Sequence, residues 1–125
     1  MKRFLIFFSI AFSVVVTLSS CSKVTNKTLS AKWRVESARA FNSEYGQWIE
    51  ATNFTNSTVT LRNDGSYHWS FLNGDVYTGN WSYVSSSNEL IMDYDIWHIA
   101  YYEKKELKLQ ATYEGVRLEM YWRKI

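Results

Sequence analysis

The chain has 125 residues, of which 46% are hydrophobic and 18% aromatic, enough for one domain with one modest core. It carries 14 basic and 12 acidic residues, and without Lys2 and Arg3 at its start the two kinds balance at 12 each. That balance argues against nucleic acid as a partner, because binding phosphates needs a basic stripe. The single cysteine, Cys21, excludes a disulfide within the chain.

The first 20 residues have the layout of a secretory signal. Two basic residues are followed by an apolar run, Phe4–Leu18, which is too short to span a bilayer permanently. The segment ends in Leu18-Ser19-Ser20-Cys21, which resembles the lipobox of bacterial lipoproteins. The resemblance implies that Met1–Ser20 are removed and that acyl chains on Cys21 hold the protein on a membrane. An ordinary signal peptide with an incidental cysteine is the alternative.

The residues after the cysteine bear on localisation. Ser22 stands where many lipoproteins retained in the inner membrane carry Asp, and the acidic run that resembles a surface-export signal in Bacteroidetes is missing. By this resemblance we expect a lipid-anchored protein of the bacterial cell envelope, on the outer membrane and facing the periplasm. Residues Cys21–Ser30 are polar and predict a lipidated tether, with the packing of Leu29 left open.

From Ala31 to Ile125 the chain predicts β-strands almost throughout. Apolar and polar residues alternate with a period of two, which is typical of half-buried antiparallel strands. The apolar positions of these runs are Trp33-Val35, Val59-Leu61, Tyr67-Trp69-Phe71, Tyr77-Gly79-Trp81-Tyr83, Leu90-Met92-Tyr94, Trp97-Ile99-Tyr101, Leu107-Leu109-Ala111-Tyr113 and Val116-Leu118-Met120-Trp122.

The links between these runs are short. Asn63-Asp64-Gly65 and Asn73-Gly74 have the residue types of tight hairpin turns. Short links make neighbouring strands antiparallel, because a parallel crossover needs a dozen or more residues. A twisted sheet of this length with one apolar face rolls up to bury that face. The sequence therefore predicts an all-β domain over residues 31–125, a single antiparallel up-and-down meander β-barrel of about eight strands.

One connection, Asn42–Asn56, is much longer than the others. It contains Tyr45, Trp48, Ile49 and Phe54. Loops of this length inside compact domains are often functional or mobile. A short extra hairpin packed on the barrel explains the segment equally well, so both interpretations stay open.

Several motifs resemble the lipocalin-like lipoproteins common in Bacteroidetes. Besides the lipobox, they are a first strand opening on Trp33-Arg34-Val35 and an internal Gly79-Asn80-Trp81. Val59–Tyr67 matches that family's strand, Asp-Gly turn and aromatic strand, and Trp97-His98-Ile99 matches part of its second half. Ala31 stands in place of the glycine of the true lipocalins' Gly-x-Trp, so the shorter lipocalin-like group matches better. The resemblance implies a barrel with one end open to a small hydrophobic molecule, and no enzyme activity.

The residues themselves predict neither catalysis nor a metal site. His68 and His98 have outward parity on strands that are not neighbours, whereas a metal needs three or four convergent ligands. Asp93 and Asp95 share one strand face, an arrangement more typical of solvated surface than of a hydrolase. No Ser or Cys nucleophile is recognisably paired with a base, and no glycine-rich phosphate loop exists. We expect no enzyme activity and no cofactor.

Aromatic residues dominate the inward parity of the strands. They are Trp33, Trp69, Phe71, Trp81, Tyr83, Trp97, Tyr101 and Trp122. Rings lining a cavity would suit an apolar ligand, yet an eight-stranded barrel is only just wide enough for its own side chains or one small ligand. Five inward tryptophans favour a filled interior. Ser37 and Arg39 are polar at positions where the alternation predicts apolar, inward side chains. Polar residues at such positions are expected at a barrel mouth, and equally at a strand end that enters water.

Two functions from different classes stay open. The first is a lipocalin-like binding module that takes a small apolar or amphipathic molecule at a mouth lined by Arg39, Tyr45, Trp48 and Phe54. Arg39 would favour a ligand with an anionic or polar head. The second is a filled barrel that contacts another protein, as an accessory subunit or inhibitor. The expected partners are thus the membrane, through the lipid on Cys21, and either a small hydrophobic ligand or a protein.

Overall fold

The structure, a computed structural model, describes residues 24–125. The predicted signal and the predicted lipidation site at Cys21 lie outside the described residues. The described part forms one short helix and nine strands: α1 Asn26–Leu29, β1 Lys32–Asn42, β2 Gln47–Glu50, β3 Thr58–Leu61, β4 Ser66–Ser70, β5 Val76–Val84, β6 Glu89–Met92, β7 Asp95–Glu103, β8 Glu106–Tyr113 and β9 Val116–Lys124. No helix in this part of the chain has the length and apolarity needed to cross a bilayer.

Eight of the strands close into an antiparallel meander barrel, which confirms the predicted fold. The strand order is β2-β1-β3-β4-β5-β6-β7-β8-β9, and β1 pairs with β9 to complete the ring. One edge of β1 is shared: Lys32–Arg34 pairs with β3, and Arg39–Asn42 pairs with the extra strand β2. The long connection Asn42–Asn56 therefore contains a short hairpin, which is one of the two structures that its sequence left open. Residues 24–125 carry their own closed sheet and core, the property that lets a domain fold alone.

Period-two alternation positions the core, as β3 and β4 illustrate. Val59 pairs with Trp69, and Leu61 pairs with Tyr67. All four side chains are buried, while His68 between them faces outward. Burying the apolar face of such strands is the main stabilising contribution, at roughly 25 cal/mol per Å² of apolar surface removed from water.

A β-bulge in β1 explains the polar residues that break its parity. The register with β9 shifts between Val35 and Ser37. One additional residue turns all later side chains to the opposite face of the strand. Ala38 is consequently the buried residue, opposite Met120, and Arg39 lies on the outer face of the barrel.

A second bulge, in β7, contradicts one prediction. The register with β8 shifts between Ile99 and Tyr101. Tyr101, predicted to point inward, lies outside instead, 37% exposed, and its hydroxyl donates to Glu106 at 2.8 Å. Tyr102 takes the inward position and packs against the core. The prediction was wrong because counting by two cannot detect an inserted residue.

Helix α1 closes one end of the barrel. Thr25 caps the helix, since its hydroxyl accepts from the Thr28 amide at 3.1 Å and its own amide donates to the Thr28 hydroxyl at 2.9 Å. Leu29 is fully buried, and its carbonyl accepts from the indole N–H of Trp33 at 3.0 Å. Lys124 donates to the carbonyl of Thr28 at 3.0 Å. We call this end the base, and the end with turns 43–46, 71–75, 93–94 and 114–115 the mouth.

Candidate functional site

The mouth opens into a cavity of about 670 Å³. That volume is within the range of small-molecule sites, roughly 300–1,000 Å³. Its apolar wall comes from inward positions of several strands: Ala38, Trp69, Met92, Trp97, Leu118 and Met120. Toward the base the interior is filled, because the rings of Trp33 and Trp122 pack with their centroids 6.3 Å apart. The barrel is thus packed in its lower half and open in its upper half.

Four aromatic side chains on one side of the cavity form what we call the ring group: Phe54, Trp69, Phe71 and Tyr77. Trp69 and Phe71 are stacked, with an interplanar angle of 8° and centroids 5.4 Å apart. Phe54 contacts both, at 5.9 and 5.7 Å, and Tyr77 meets Phe71 edge-on at 5.5 Å. Because Tyr77 lies opposite Trp69 in the β4–β5 hairpin, strand pairing itself brings these rings together.

The tryptophans of the barrel interior differ in how their N–H groups are satisfied. The Trp69 indole donates to the Ser57 hydroxyl at 2.9 Å, and the Trp81 indole donates to the Arg62 carbonyl at 2.8 Å. Trp122 contacts Trp69 edge-on at 5.8 Å, yet its indole N–H has no hydrogen-bond partner among residues 24–125. An unpaired buried donor lowers the free energy of unfolding by about 1–3 kcal/mol, so the packing of the Trp122 ring must offset that loss.

Carboxylates stand at the rim of the cavity. The Asp75 carbonyl accepts from the Phe71 amide at 2.9 Å, which continues the β4–β5 pairing, and Asp95 pairs opposite buried Met92. Both acids therefore occupy inward positions, and both line the cavity. Among the lining residues in the described part of the chain, Arg39 is the only cation, and the bulge in β1 turns it to the outer face.

Asp93 connects a mouth turn to the neighbouring strands. Its carboxylate accepts from the Tyr67 hydroxyl at 2.7 Å and from the Asn80 amide at 3.0 Å. These donors, the Asn80 amide first, lower the pKa of Asp93. Burial of the phenol, together with the hydrogen bond to Asp93, raises the pKa of Tyr67 to about 12. Tyr67 therefore stays a neutral donor over the whole physiological range.

The same carboxylate explains the glycine of Gly79-Asn80-Trp81. A Cβ atom built on Gly79 would overlap the Asp93 carboxylate, so only glycine leaves that space free. Asp93 lies in the turn after β6, at φ 56°, whereas Asp95 begins β7. The two acids do not share one strand face as predicted, because the chain turns between them.

A buried carboxylate on the outer face holds Arg39. Glu119 binds Arg39 at 2.7 Å and Lys108 at 3.0 Å, and it accepts from the Gln110 amide at 2.9 Å. Burial alone would raise the pKa of Glu119, but these three donors outweigh it and lower the pKa to about 2. The Arg39 guanidinium also lies 4.2 Å from the centroid of the Trp48 ring.

The four residues predicted to line the mouth lie in different places. Arg39 and Trp48 meet on the outer face. Arg39 also belongs to the cavity lining, but its guanidinium binds Glu119 rather than being free for an anionic ligand head. Tyr45 is in the β1–β2 turn, 69% exposed and outside the cavity lining. Phe54 alone of the four joins the rings of the cavity.

Among the lining residues that were not predicted as site residues, three bear on ligand binding: Asp75, Tyr77 and Asp95. A signal existed for Tyr77, because the Asn73-Gly74 turn places it opposite the inward Trp69. Asp75 could have been found in the same way, since it lies two pairs nearer the turn, opposite the inward Phe71. For Asp95 the signal was incomplete: it stands two residues before the inward Trp97, but the alternation does not show where the β6–β7 turn ends.

The histidines do not form a metal site. His68 and His98 lie on β4 and β7, which do not pair with each other. Within residues 24–125 no group of three or more His, Cys, Asp or Glu could hold a metal ion.

The eight-stranded antiparallel barrel is consistent with a lipocalin-like fold. No protein-family model matches the chain, and neither a curated protein nor a solved structure matches it.

Proposed function

We propose that this chain is a lipocalin-like lipoprotein of the bacterial cell envelope that binds a small apolar or amphipathic molecule in its mouth. The observation that carries the proposal is the cavity of about 670 Å³ with the ring group along one wall. Ligand sites are typically concave and mostly apolar, with a few polar groups that orient the ligand. The rim carboxylates and tyrosines supply such groups.

The proposed membrane anchor and Bacteroidetes family rest on sequence motifs, Leu18-Ser19-Ser20-Cys21 and Gly79-Asn80-Trp81. Val24 packs into the core, and the chain enters β1 at the base. Acyl chains on Cys21, three residues before Val24, would therefore draw the base toward the outer membrane and leave the mouth facing the periplasm. Basic residues also gather at the base: Lys27, Lys32, Arg62, Lys104, Lys105 and Lys124.

We infer binding without catalysis. The side chains that line the cavity are rings, aliphatic groups and carboxylates, together with two amides, a hydroxyl and the guanidinium of Arg39. Among the described lining residues there is no nucleophile paired with a base, the arrangement that covalent catalysis requires.

The binding proposal is tested with N-phenyl-1-naphthylamine, a neutral apolar fluorophore, and the domain Ser22–Ile125. We expect a saturable rise in fluorescence. Ala111 lines the cavity opposite Leu118 on β9, so Ala111→Trp should fill the cavity and weaken binding at least about tenfold, or ~1.4 kcal/mol. Ser82→Trp, on the exposed face of β5, is the matched control and should bind like wild type. Absence of saturable binding to wild type would contradict the proposal.

A protein partner at the mouth is the second candidate, favoured by exposed apolar side chains there. They are Tyr45, Ile49, Leu72, Val76, Tyr94, Ile96 and Tyr113. Contiguous exposed apolar surface often marks an interaction site. If the fluorophore does not bind, and a partner copurifies with wild type but not with a Leu72→Ser/Tyr94→Ser double variant, the barrel acts as an accessory or inhibitor protein.

A further inference from the structure

We propose that the molecule bound in the mouth is a cationic amphiphile, with an apolar or aromatic body in the cavity and an ammonium-type group at the rim. This inference rests on the binding function proposed above and adds the charge of its ligand. It stands on the combination of a ring-walled apolar cavity with rim carboxylates that no described cation neutralises.

The rim carboxylates are free to accept from a ligand. Within residues 24–125 the carboxylates that form ion pairs are Glu36, Glu106 and Glu119. Glu119 lines the cavity but is paired with Arg39 and Lys108, whereas Asp75 and Asp95 form no ion pair with described residues. Asp75 accepts from the side-chain amide of its neighbour Asn73 at 3.0 Å, and Asp95 has no side-chain hydrogen bond with described residues. Because an ionised carboxylate has about four acceptor positions, both can take further N–H donors or a cation.

The cations near the mouth are already occupied. Arg39 is held by Glu119, and the Arg117 guanidinium lies 4.6 Å from the centroid of the Phe41 ring on the outer face. Acidic residues outnumber them: Asp75, Asp95 and Glu119 line the cavity with Arg39, and Glu44, Asp93 and Glu114 lie in the mouth turns. A cleft lined by one sign of charge concentrates ligands of the opposite sign and repels those of the same sign.

Aromatic faces provide the second half of the recognition. Tyr77 and Tyr94 line the cavity beside the carboxylates, and Trp97 lies deeper on β7, two residues from Asp95. A cation over an aromatic face is attracted by the negative face of the ring, even at exposed sites. The apolar remainder of the ligand would contact the stacked rings of Trp69 and Phe71.

The test compares octyltrimethylammonium with octyl sulfate, which share one alkyl chain and differ in head charge. Each displaces N-phenyl-1-naphthylamine from the domain Ser22–Ile125, below its micellar concentration and at low salt. We expect octyltrimethylammonium to bind roughly tenfold or more tightly than octyl sulfate, because two exposed ion pairs and one cation–π contact favour the ammonium head. High salt should shrink that preference, because exposed charges are screened.

The variant Asp75→Asn/Asp95→Asn should lose most of the preference, measured as the ratio of the displacement constants of the two octyl ligands. The control Glu89→Gln/Glu103→Gln removes the same charge at the base and should keep it. If wild type binds the fluorophore but the two octyl ligands displace it equally, the charge inference is overturned and the binding function stands. If wild type does not bind the fluorophore, the proposed binding function itself is contradicted. If the variant does not fold, the comparison of the two octyl ligands on wild type decides the charge inference by itself.

Discussion

At the scale of single residues, the Asp93 carboxylate connects a turn of the mouth to two strands of the barrel. It accepts from the Tyr67 hydroxyl on β4 and the Asn80 amide on β5, and Gly79 leaves it the space to approach. A side chain in the turn after β6 is thereby joined to two strands earlier in the sheet, next to the rim where Asp95 stands. The arrangement depends on glycine, since the close approach leaves no space for a Cβ atom.

We therefore expect Gly79→Ala to destabilise the domain by about 1–3 kcal/mol, the usual cost of forcing atoms into a packed site. Urea melts give the free energy of unfolding. Combining it with Asp93→Ala tests the cause, because residues in contact give non-additive effects. In the Asp93→Ala background the glycine substitution should cost much less, and equal costs in both backgrounds would contradict the proposed overlap.

Glu119 makes stability depend on pH in a defined direction. Its pKa is about 2 in the folded protein, below its ordinary value of 4.5. A group with a depressed folded-state pKa contributes its stability fully above the unfolded value, and this is lost as pH falls through the folded value. We expect a loss on the order of 2 kcal/mol between pH 4.5 and pH 2, discounted for partial solvent screening.

Urea melts of wild type and Glu119→Gln over that pH range should show a difference that disappears toward the acid end. At neutral pH the variant should be less stable, because Arg39 and Lys108 lose their shared partner. Glu36→Gln is the control, since Glu36 belongs to exposed ion pairs that contribute little. A Glu119→Gln difference that stays constant down to pH 2 would mean that this carboxylate is not the source.

At the scale of elements, α1 packs into the base of the barrel through Leu29. Its four residues carry one apolar side chain, Leu29, which is fully buried in the base. We expect Leu29→Ala to destabilise the domain by about 2–5 kcal/mol through the cavity it leaves. Leu72→Ala, at a mouth position that is 75% exposed, should change stability by less than about 0.5 kcal/mol. Similar denaturant midpoints for the two variants would mean that α1 does not close the base.

At the scale of the whole molecule, the barrel has an acidic, open mouth and a base at which the described chain begins. We expect Cys21→Ala to release the protein from the membrane fraction or to leave the signal uncleaved, because no acyl chains can then be attached. Ser22→Ala, one residue further along, should fractionate as wild type does. Membrane fractionation that is identical for wild type and Cys21→Ala would rule out the lipid anchor.

Much of the barrel could be predicted because strand pairing is local in sequence. The Asn73-Gly74 turn brings Trp69 opposite Tyr77, and alternation then indicates which side chains of β4 and β5 face inward. The candidate site was harder to predict. Phe54 was found among aromatic residues of the long connection. The contacts of Arg39 with Glu119 and Trp48 could not be predicted, because the bulge in β1 leaves no mark in the hydrophobic pattern.

The sequence by itself determined the all-β class, the antiparallel meander and the inward aromatic face, because each follows from a two-residue period and short links. Only the tertiary structure decided that Trp33 and Trp122 fill the lower half while a cavity stays open above Trp69. Closure of the sheet and the two bulges set how far each ring reaches into the barrel. These depend on contacts between residues far apart in the chain, and no local pattern contains them.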